Sequence, residues 1–448
     1  MSNLRKIFHN DNVLSLLGNL TVTVFGIASF MLLTRSLSLN LFGQWSLYVS
    51  ASTLLEMLRS GLTRVALIRF LSGANADEKQ MVLGSNWVIS IALTFVLSTA
   101  LLAIRFLFRE TIDHSSFALF FQWYPLIAFA NLALQNSLSQ LQAEQKFSRI
   151  LCLRALDSGL FVVVLSVNLV VIGAGISFII LAYLLIALIA SAAGMIMTRD
   201  GLAAIRRANV KTVKELLHFG KYTLGTLIGT NLLKSTDAFL IGMSPVLGAA
   251  GVAMYSVPLK MIEMLEIPLR SMVATAYPRI AAAARGGQRD KIKSTFYDYT
   301  GFTMILFVPI LLAGTVAAPW FIILLAGPDY LSAVFLFRIF CVYGLFLPFD
   351  RFAGVVLDAI NRPNLNFFKV LFMAAINLLG DVIAVFYFAS LELVATATIL
   401  MTVCGVLWGY YYLHREFGLS VRALLIAGLG KWQQTFSLVH KRPIHESL

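Results

Sequence analysis

RDGLAAIRRANVKTVKELLHFGK, residues 199–221, is a long polar and basic stretch in an otherwise apolar chain. Six apolar runs precede it, at about 13–33, 41–62, 81–104, 117–139, 151–173 and 176–198. Six more follow, at about 221–243, 249–275, 299–325, 331–357, 366–388 and 391–413. A helix crossing a bilayer needs about 20 mainly apolar residues, and each run meets that length. The runs are continuous and too long for the tilted strands of a membrane barrel. The stretch therefore reads as a linker between two six-helix halves. The expected fold is all-α and integral to a membrane, with about twelve transmembrane helices in two six-helix lobes. The expected divisions are 1–198, the linker 199–221, 222–413 and a basic tail 414–448.

Composition agrees. Of 448 residues, 59% are hydrophobic and 13% charged, against about 25% charged in a soluble domain. Lipid tails can cover apolar side chains that a soluble protein would have to bury. The three cysteines, Cys152, Cys341 and Cys404, sit in apolar runs and read as small hydrophobes, not a disulfide framework. The first run lacks a small-residue cleavage site and reads as a retained anchor.

The placement of basic residues sets orientation. With a cytoplasmic N-terminus, twenty-six lysines and arginines fall on inside segments, among them Arg64, Arg154, Arg289 and Lys369. Only Arg35, Arg105 and Arg109 fall outside. Both termini are therefore expected in the cytoplasm, with the chain in the inner membrane. This asymmetry accounts for the net charge of +13 through insertion and membrane lipid headgroups, without nucleic acid. The tail piece VRALLIAGLGKW (421–432) is too short to span; it reads either as an interfacial helix, with Arg422 and Lys431 at headgroup level, or as disordered.

The halves repeat. YVSASTLLEML (48–58) matches YSVPLKMIEML (255–265), and LLGNL (16–20) falls on TLGTL (223–227) at the same offset. LQAEQK (141–146) resembles LDAINR (357–362). Both halves enter the membrane from the same side, so the expected pseudo-two-fold repeat is parallel. Such an architecture places a site between the repeats near the midplane.

Catalytic signatures are missing. The sequence has no phosphate-binding GxxxxGK[ST] loop, no HExxH or other metal spacing, and no GxSxG turn. No loop between runs exceeds roughly two dozen residues, whereas membrane polymerases often carry a large external loop or intramembrane His and Asp. The reading is a transporter and not an enzyme, with no cofactor and no metal.

Ionisable residues inside spans cost about 2.5–3.5 kcal/mol each on insertion scales, so they face a cavity or a partner. Glu56 and Arg59, Lys234 and Asp237, and Lys260 and Glu263 are spaced i, i+3; Glu266 and Arg270 are spaced i, i+4. Such pairs share a helix face. They can neutralise each other as structural pairs, or line a water-filled cavity. Asp157, Arg338, Asp350, Arg351 and Asp381 are further charges in spans. Pro258 and Pro268 flank Lys260 and Glu263 and bend the eighth span, as a static kink or beside a gate. GTLIG (225–229) and GVLWG (405–409) are GxxxG patterns for close helix packing.

Several local patterns resemble the multidrug/oligosaccharidyl-lipid/polysaccharide (MOP) exporter superfamily, in its polysaccharide-transporter branch. They are NDNVLSLLGNL (10–20), TRSLSLNLFGQWSLYVSASTLLEMLRSGL (34–62), KELLHFGKYTLGTLIGTNLLKSTDAFLIG (214–242), GVAMYSVPLKMIEM (251–264), YPRIAAA (277–283) and LLAGPDYLSA (324–333). The resemblance covers about residues 10–413. It implies a flippase that moves an undecaprenyl-pyrophosphate-linked oligosaccharide, of the O-antigen or lipopolysaccharide kind, by alternating access. Its partners would be the lipid-linked substrate, a polysaccharide polymerase and export machinery. Lys234, Lys260, Arg59 and Arg270 are then candidates for the pyrophosphate. Asp237, Glu263, Glu56 and Asp381 are candidates for coupling to a proton or sodium gradient. The first span carries no charge in its interior, unlike the basic first span of lipid II flippases. The alternatives are a cation-coupled multidrug exporter of the same superfamily and a membrane-embedded glycan polymerase.

Overall fold

The computed structural model describes residues 11–61, 63–71, 74–198 and 202–440, and the side chains of these except 11–13, 15–16, 221–234 and 435–440. Among the described residues the chain is helical throughout, with no strand. The helices are α1 (Asp11–Ser36), α2 (Leu39–Gly61), α3 (Arg64–Leu71), α4 (Ala76–Leu107), α5 (Arg109–Asp113), α6 (Ala118–Ala143), α7 (Phe147–Val167) and α8 (Ile176–Thr198). Then follow α9 (Val210–Met243), α10 (Gly248–Arg285), α11 (Arg289–Val316), α12 (Ala318–Leu325), α13 (Val334–Ala359), α14 (Pro363–Val382), α15 (Leu391–Phe417) and α16 (Val421–His440).

The twelve apolar runs all fall on helices. Eight of those helices are long and apolar enough to cross a membrane on length and composition alone. The runs outside that eight carry more polar residues. α6, for example, holds buried Asn136, Ser137, Ser139 and Gln140. The lipid-facing character shows outside the helices: Phe106, Val170, Trp320 and Tyr387 are among many large apolar side chains left exposed, far beyond what a soluble monomer shows. This is a multi-pass membrane protein.

The ninth run, expected as one span over 299–325, is broken. α11 ends at Val316, and Pro319 opens the short helix α12. Proline has no N–H to continue the preceding helix but fits a first turn. Conversely α10 runs unbroken through Pro258, Pro268 and Pro278, ten residues past the expected end of the eighth span. α4 starts five residues before its apolar run, because Asn75 caps it. Asn75 Oδ1 accepts the Glu78 N–H at 2.9 Å, and Glu78 Oε2 accepts the Asn75 N–H at 3.1 Å, a reciprocal capping box.

The chain forms two compact units, Met1–Ala253 and Met254–Leu448. In the N-terminal unit α1 packs on α7, α6 packs on α4 and α8, and α9 packs on α2 and α4. In the C-terminal unit α13 packs on α11 and α15, and α14 packs on α15. α4·α6, α6·α8 and α7·α8 in the first unit thus correspond to α11·α13, α13·α15 and α14·α15 in the second. Compactness divides the chain at 253/254 because α9, past the linker, packs against the first-half helices α2 and α4.

The repeat extends to backbone detail. The turn after α6 puts Gln145 at φ 56°, and the turn after α13 puts Asn361 at φ 61°. The Lys146 N–H donates to Leu141 O at 2.9 Å, as the Arg362 N–H does to Leu357 O at 2.9 Å. Both are left-handed helix ends with a six-to-one hydrogen bond, which satisfies a terminal carbonyl. α7 and α14 then each end in a π-helical turn, Asn168–Ile172 and Ile383–Tyr387.

The tail piece 421–432 lies in a docked helix, α16. α16 lies on α11 at a glycine crossing: a Cβ on Gly301 would sit 2.3 Å from Leu424 O and 3.0 Å from Gly428 Cα. The Ser420 N–H donates to Tyr297 Oη at 2.7 Å, Lys431 pairs with Asp298 at 3.7 Å, and the Phe302 and Trp432 rings lie 6.0 Å apart. Of the two glycine pairs, the second lies among described side chains. In GVLWG, Gly409 meets Ala353 Cβ, and Gly405 meets Met373 and Asp350. The side chains around GTLIG lie outside the described residues.

Candidate functional site

In the N-terminal unit the pair expected on α2 forms. Arg59 Nη2 donates to Glu56 Oε2 at 2.6 Å. Its other donors reach Thr94 Oγ1 on α4 at 3.2 Å and Ala128 O on α6 at 2.5 Å. Arg59 is 2% exposed, so its guanidinium ties three helices together. Asp237, on α9, is buried. Lys234 lies on the same helix, but its side chain is outside the described residues, and with it the Lys234–Asp237 pair.

In the C-terminal unit, Lys260 Nζ donates to Glu263 Oε2 at 3.0 Å, and both side chains keep about a third or more of their surface. One helical turn further, Glu266 pairs with two arginines. Arg270 Nη2 lies 3.4 Å from one oxygen, and Arg351 Nη2 of α13 lies 3.2 Å from the other. Glu266 is buried, while Arg270 is 64% and Arg351 43% exposed. One carboxylate against two guanidinia leaves a positive charge on an accessible surface. The i, i+4 spacing gave the Glu266–Arg270 half of this cluster. Arg351 was seen only as a charge in a span, because nothing local to α13 tells which helix it meets.

Asp381 is buried on α14 and accepts from Asn377 Nδ2 at 2.8 Å. Lys369, Met373, Asn377 and Asp381, spaced by four, are the buried residues of that helix and form one stripe. Lys369 was expected on an inside segment. It is instead 2% exposed, and its Nζ donates to Asp350 Oδ1 of α13 at 2.7 Å and to Asp350 O at 3.1 Å. A lysine near a helix start counts toward orientation by composition, but here a facing carboxylate draws it into the bundle.

A cavity of about 670 Å³ opens inside the N-terminal unit, lined by α1, α6, α7 and the start of α3. Its polar wall includes Arg64, Arg154, Asp157, Asn19, Gln142 and Ser158. Of these only Asp157 stands out in the sequence as a charge within a span. Arg154 had been counted as an inside-loop residue, but it lies seven residues into α7.

The protein is thus an all-helical membrane protein with an internal repeat, ion pairs between and within its helices, and a polar cavity in its N-terminal unit. The chain belongs to the polysaccharide biosynthesis protein family, whose match covers residues 10–284. Compared with curated protein sequences, it finds no match. Among solved structures it resembles an inward-facing multidrug resistance MATE family transporter of the MOP superfamily, at 16% identity and a TM-score of 0.70, over 94% of this chain and 96% of that one. The lipid II flippase MurJ, in an inward closed conformation, matches at 13% identity and a TM-score of 0.69, over 97% and 94%. A MOP superfamily transporter from Pyrococcus furiosus, with a binding pocket of reverse polarity, matches at 15% identity and a TM-score of 0.56, over 91% and 95%. At these identities the likeness is one of fold.

Proposed function

We propose that this protein is a flippase, not an enzyme, which carries a polyprenyl-pyrophosphate-linked oligosaccharide from the cytoplasmic to the outer leaflet of the inner membrane. Both termini are cytoplasmic in this reading, and an O-antigen or lipopolysaccharide unit is the cargo. The observation that carries it is the Arg270–Glu266–Arg351 cluster on spanning helices of a polysaccharide-biosynthesis family member. Charges in hydrocarbon are costly, so two arginines sharing one carboxylate are retained where water or an anion meets them. A pyrophosphate accepts the forked donors of a guanidinium bidentately. Lys260, ten residues before Arg270 on α10, adds an accessible ammonium; Lys234 is a further candidate. Arg59 acts in this reading by holding Glu56. Alternating access, with coupling to protons or sodium through Asp237, Glu263, Glu56 or the buried Asp381, belongs to the same proposal. A polymerase and export machinery would take the delivered unit.

The test follows the lipid-linked unit in spheroplasts depleted of the protein, complemented with wild type or with Arg270→Gln/Arg351→Gln. The expected result is accumulation of a unit that a membrane-impermeant glycosidase cannot reach, reversed by wild type and not by the variant. Accumulation at the outer face would make the protein a polymerase instead. Unchanged glycan with lost efflux of cationic drugs would make it a multidrug exporter.

A further inference from the structure

The cavity in the N-terminal unit has a chemistry the charged pairs lack. Arg154 Nη1 donates to Asn19 Oδ1 at 2.7 Å, and Arg64 Nη2 donates to Gln142 Oε1 at 2.9 Å. Both arginines line the same cavity. Among the described residues neither has a carboxylate within ion-pair distance, although Asp157 lines the cavity too. Arg59, Lys260, Arg270 and Lys369 each have one. A guanidinium carries five donors, and the amide partners here occupy one on each arginine. Two cations of like sign facing one space, each tethered only by a neutral amide, are positioned for an anion that is not part of the chain.

The internal repeat supplies a comparison. α6 and α13 are both 26 residues long and start 216 apart, as do α7 and α14. At that spacing Arg154 corresponds to Val370 and Asp157 to Met373. In the C-terminal unit Met373 is instead buried against Gly405. The Arg154 and Asp157 charges are therefore not part of the repeated pattern and belong to the first half alone. The rest of the cavity wall mixes amides, hydroxyls and one carboxylate, the groups that hydrogen-bond sugar hydroxyls, with apolar side chains such as Leu138 and Phe147, which can lie against the apolar face of a sugar ring. At about 670 Å³ it has the size of a small-molecule site, not of a single ion. Arg154 lies about 10 Å along α7 from its start, in the first half of that helix.

We propose that this cavity binds the phosphorylated glycan headgroup of the lipid-linked substrate, with Arg154 and Arg64 clamping a phosphoryl group and the amide and hydroxyl wall taking the sugar. The proposal rests on the flippase reading, and it adds a second anion site to the cluster on α10 and α13.

The test measures binding, which does not depend on transport. Full-length protein in phosphatidylcholine nanodiscs is titrated with a polyprenyl-pyrophosphoryl disaccharide, with phosphatidylglycerol and with inorganic pyrophosphate, and occupancy is read by native mass spectrometry. Arg154→Gln and Arg64→Gln should each weaken the glycan lipid about tenfold or more, Arg154→Lys less, and Arg149→Gln, on the same helix but donating to Met197 O, under about twofold. Matched size-exclusion profiles and melting temperatures exclude misfolding; the lysine variant retains the charge if the glutamine variant fails to fold. Glycan-lipid binding that is unchanged in Arg154→Gln/Arg64→Gln overturns the site. Equal loss for phosphatidylglycerol makes the occupant a membrane phospholipid and overturns the glycan assignment. Loss confined to inorganic pyrophosphate makes it a site for free anions and likewise overturns it. The flippase reading fails separately, in the spheroplast experiment, even where binding is intact.

Discussion

The Asp350–Lys369 pair allows a sharp test, because the protein contains its own control. At the 216 spacing, Asp350 corresponds to Leu134 and Lys369 to Leu153. Those two leucines belong to one buried apolar cluster, with Leu141, Ile150 and Ala190. The same position between neighbouring helices is thus an ion pair in one unit and an apolar contact in the other. Removing one partner of a buried pair leaves an uncompensated charge and costs about 3–5 kcal/mol, whereas replacing both by apolar residues of similar shape is often neutral. Leu has the branching and heavy-atom count of Asp, and Met has nearly the length of Lys. Steric cost arises mainly at Gly405, whose Cβ position is 3.1 Å from Asp350 Oδ1. Lys369→Met alone should therefore lose about 3–5 kcal/mol, Asp350→Leu alone a similar amount, and the double variant about 1 kcal/mol. The coupling free energy from the cycle should exceed about 2 kcal/mol. Melting of the four purified proteins in one detergent, followed by tryptophan fluorescence, measures this. A double variant less stable than either single variant, or two neutral single variants, would refute the reasoning. Normal stability with lost glycan delivery in the double variant would assign the pair to the transport cycle.

Two further predictions concern the periphery of each unit. Glu144, in the turn after α6, meets Lys79 and Lys146 at 2.5 Å and Gln140 at 3.1 Å. Burial pushes its carboxyl up, but the hydrogen bonds from Lys146, Lys79 and Gln140 outweigh this and hold it at about 2, below the ordinary 4.5. The stabilisation is complete above about pH 4.5 and lost as pH falls toward 2; screening by water limits it to about 1–2 kcal/mol. The melting-temperature difference between wild type and Glu144→Gln should shrink over that window, and a constant difference would show that the clasp contributes nothing. At the crossing of α11 and α16, Gly428→Leu places a Cβ 2.4 Å from the Gly301 carbonyl carbon and should undock the tail helix. Limited proteolysis should then cleave after Lys431 faster than in wild type; equal rates would mean that the glycine contact does not hold the helix.

The membrane class, the helical runs, the two halves and the i, i+3 and i, i+4 pairs within one helix were legible in the residues. These are local properties: hydropathy needs only a window, and helix-face pairing needs only a spacing. The match of LQAEQK with LDAINR was legible as a repeat, while the left-handed turns at Gln145 and Asn361 that it encodes came only from the structure. Contacts between helices were not. Whether Arg351 meets Glu266, whether Lys369 leaves its apparent loop for Asp350, and whether the tail docks at Gly301 depend on helix rotation and crossing, and these have no one-dimensional signature. Arg154 makes the point for the cavity. In the sequence it is one of twenty-six inward-biased cations, and only packing reveals it beside Arg64 with amides for neighbours. The sequence by itself determined a twice-repeated helical bundle for a bilayer, since burial in lipid is decided by each segment's own polarity. The tertiary structure alone decided which charges meet an opposite charge and which, like Arg154 and Arg64, meet only amides, since that depends on what the neighbouring helix presents at a few ångströms.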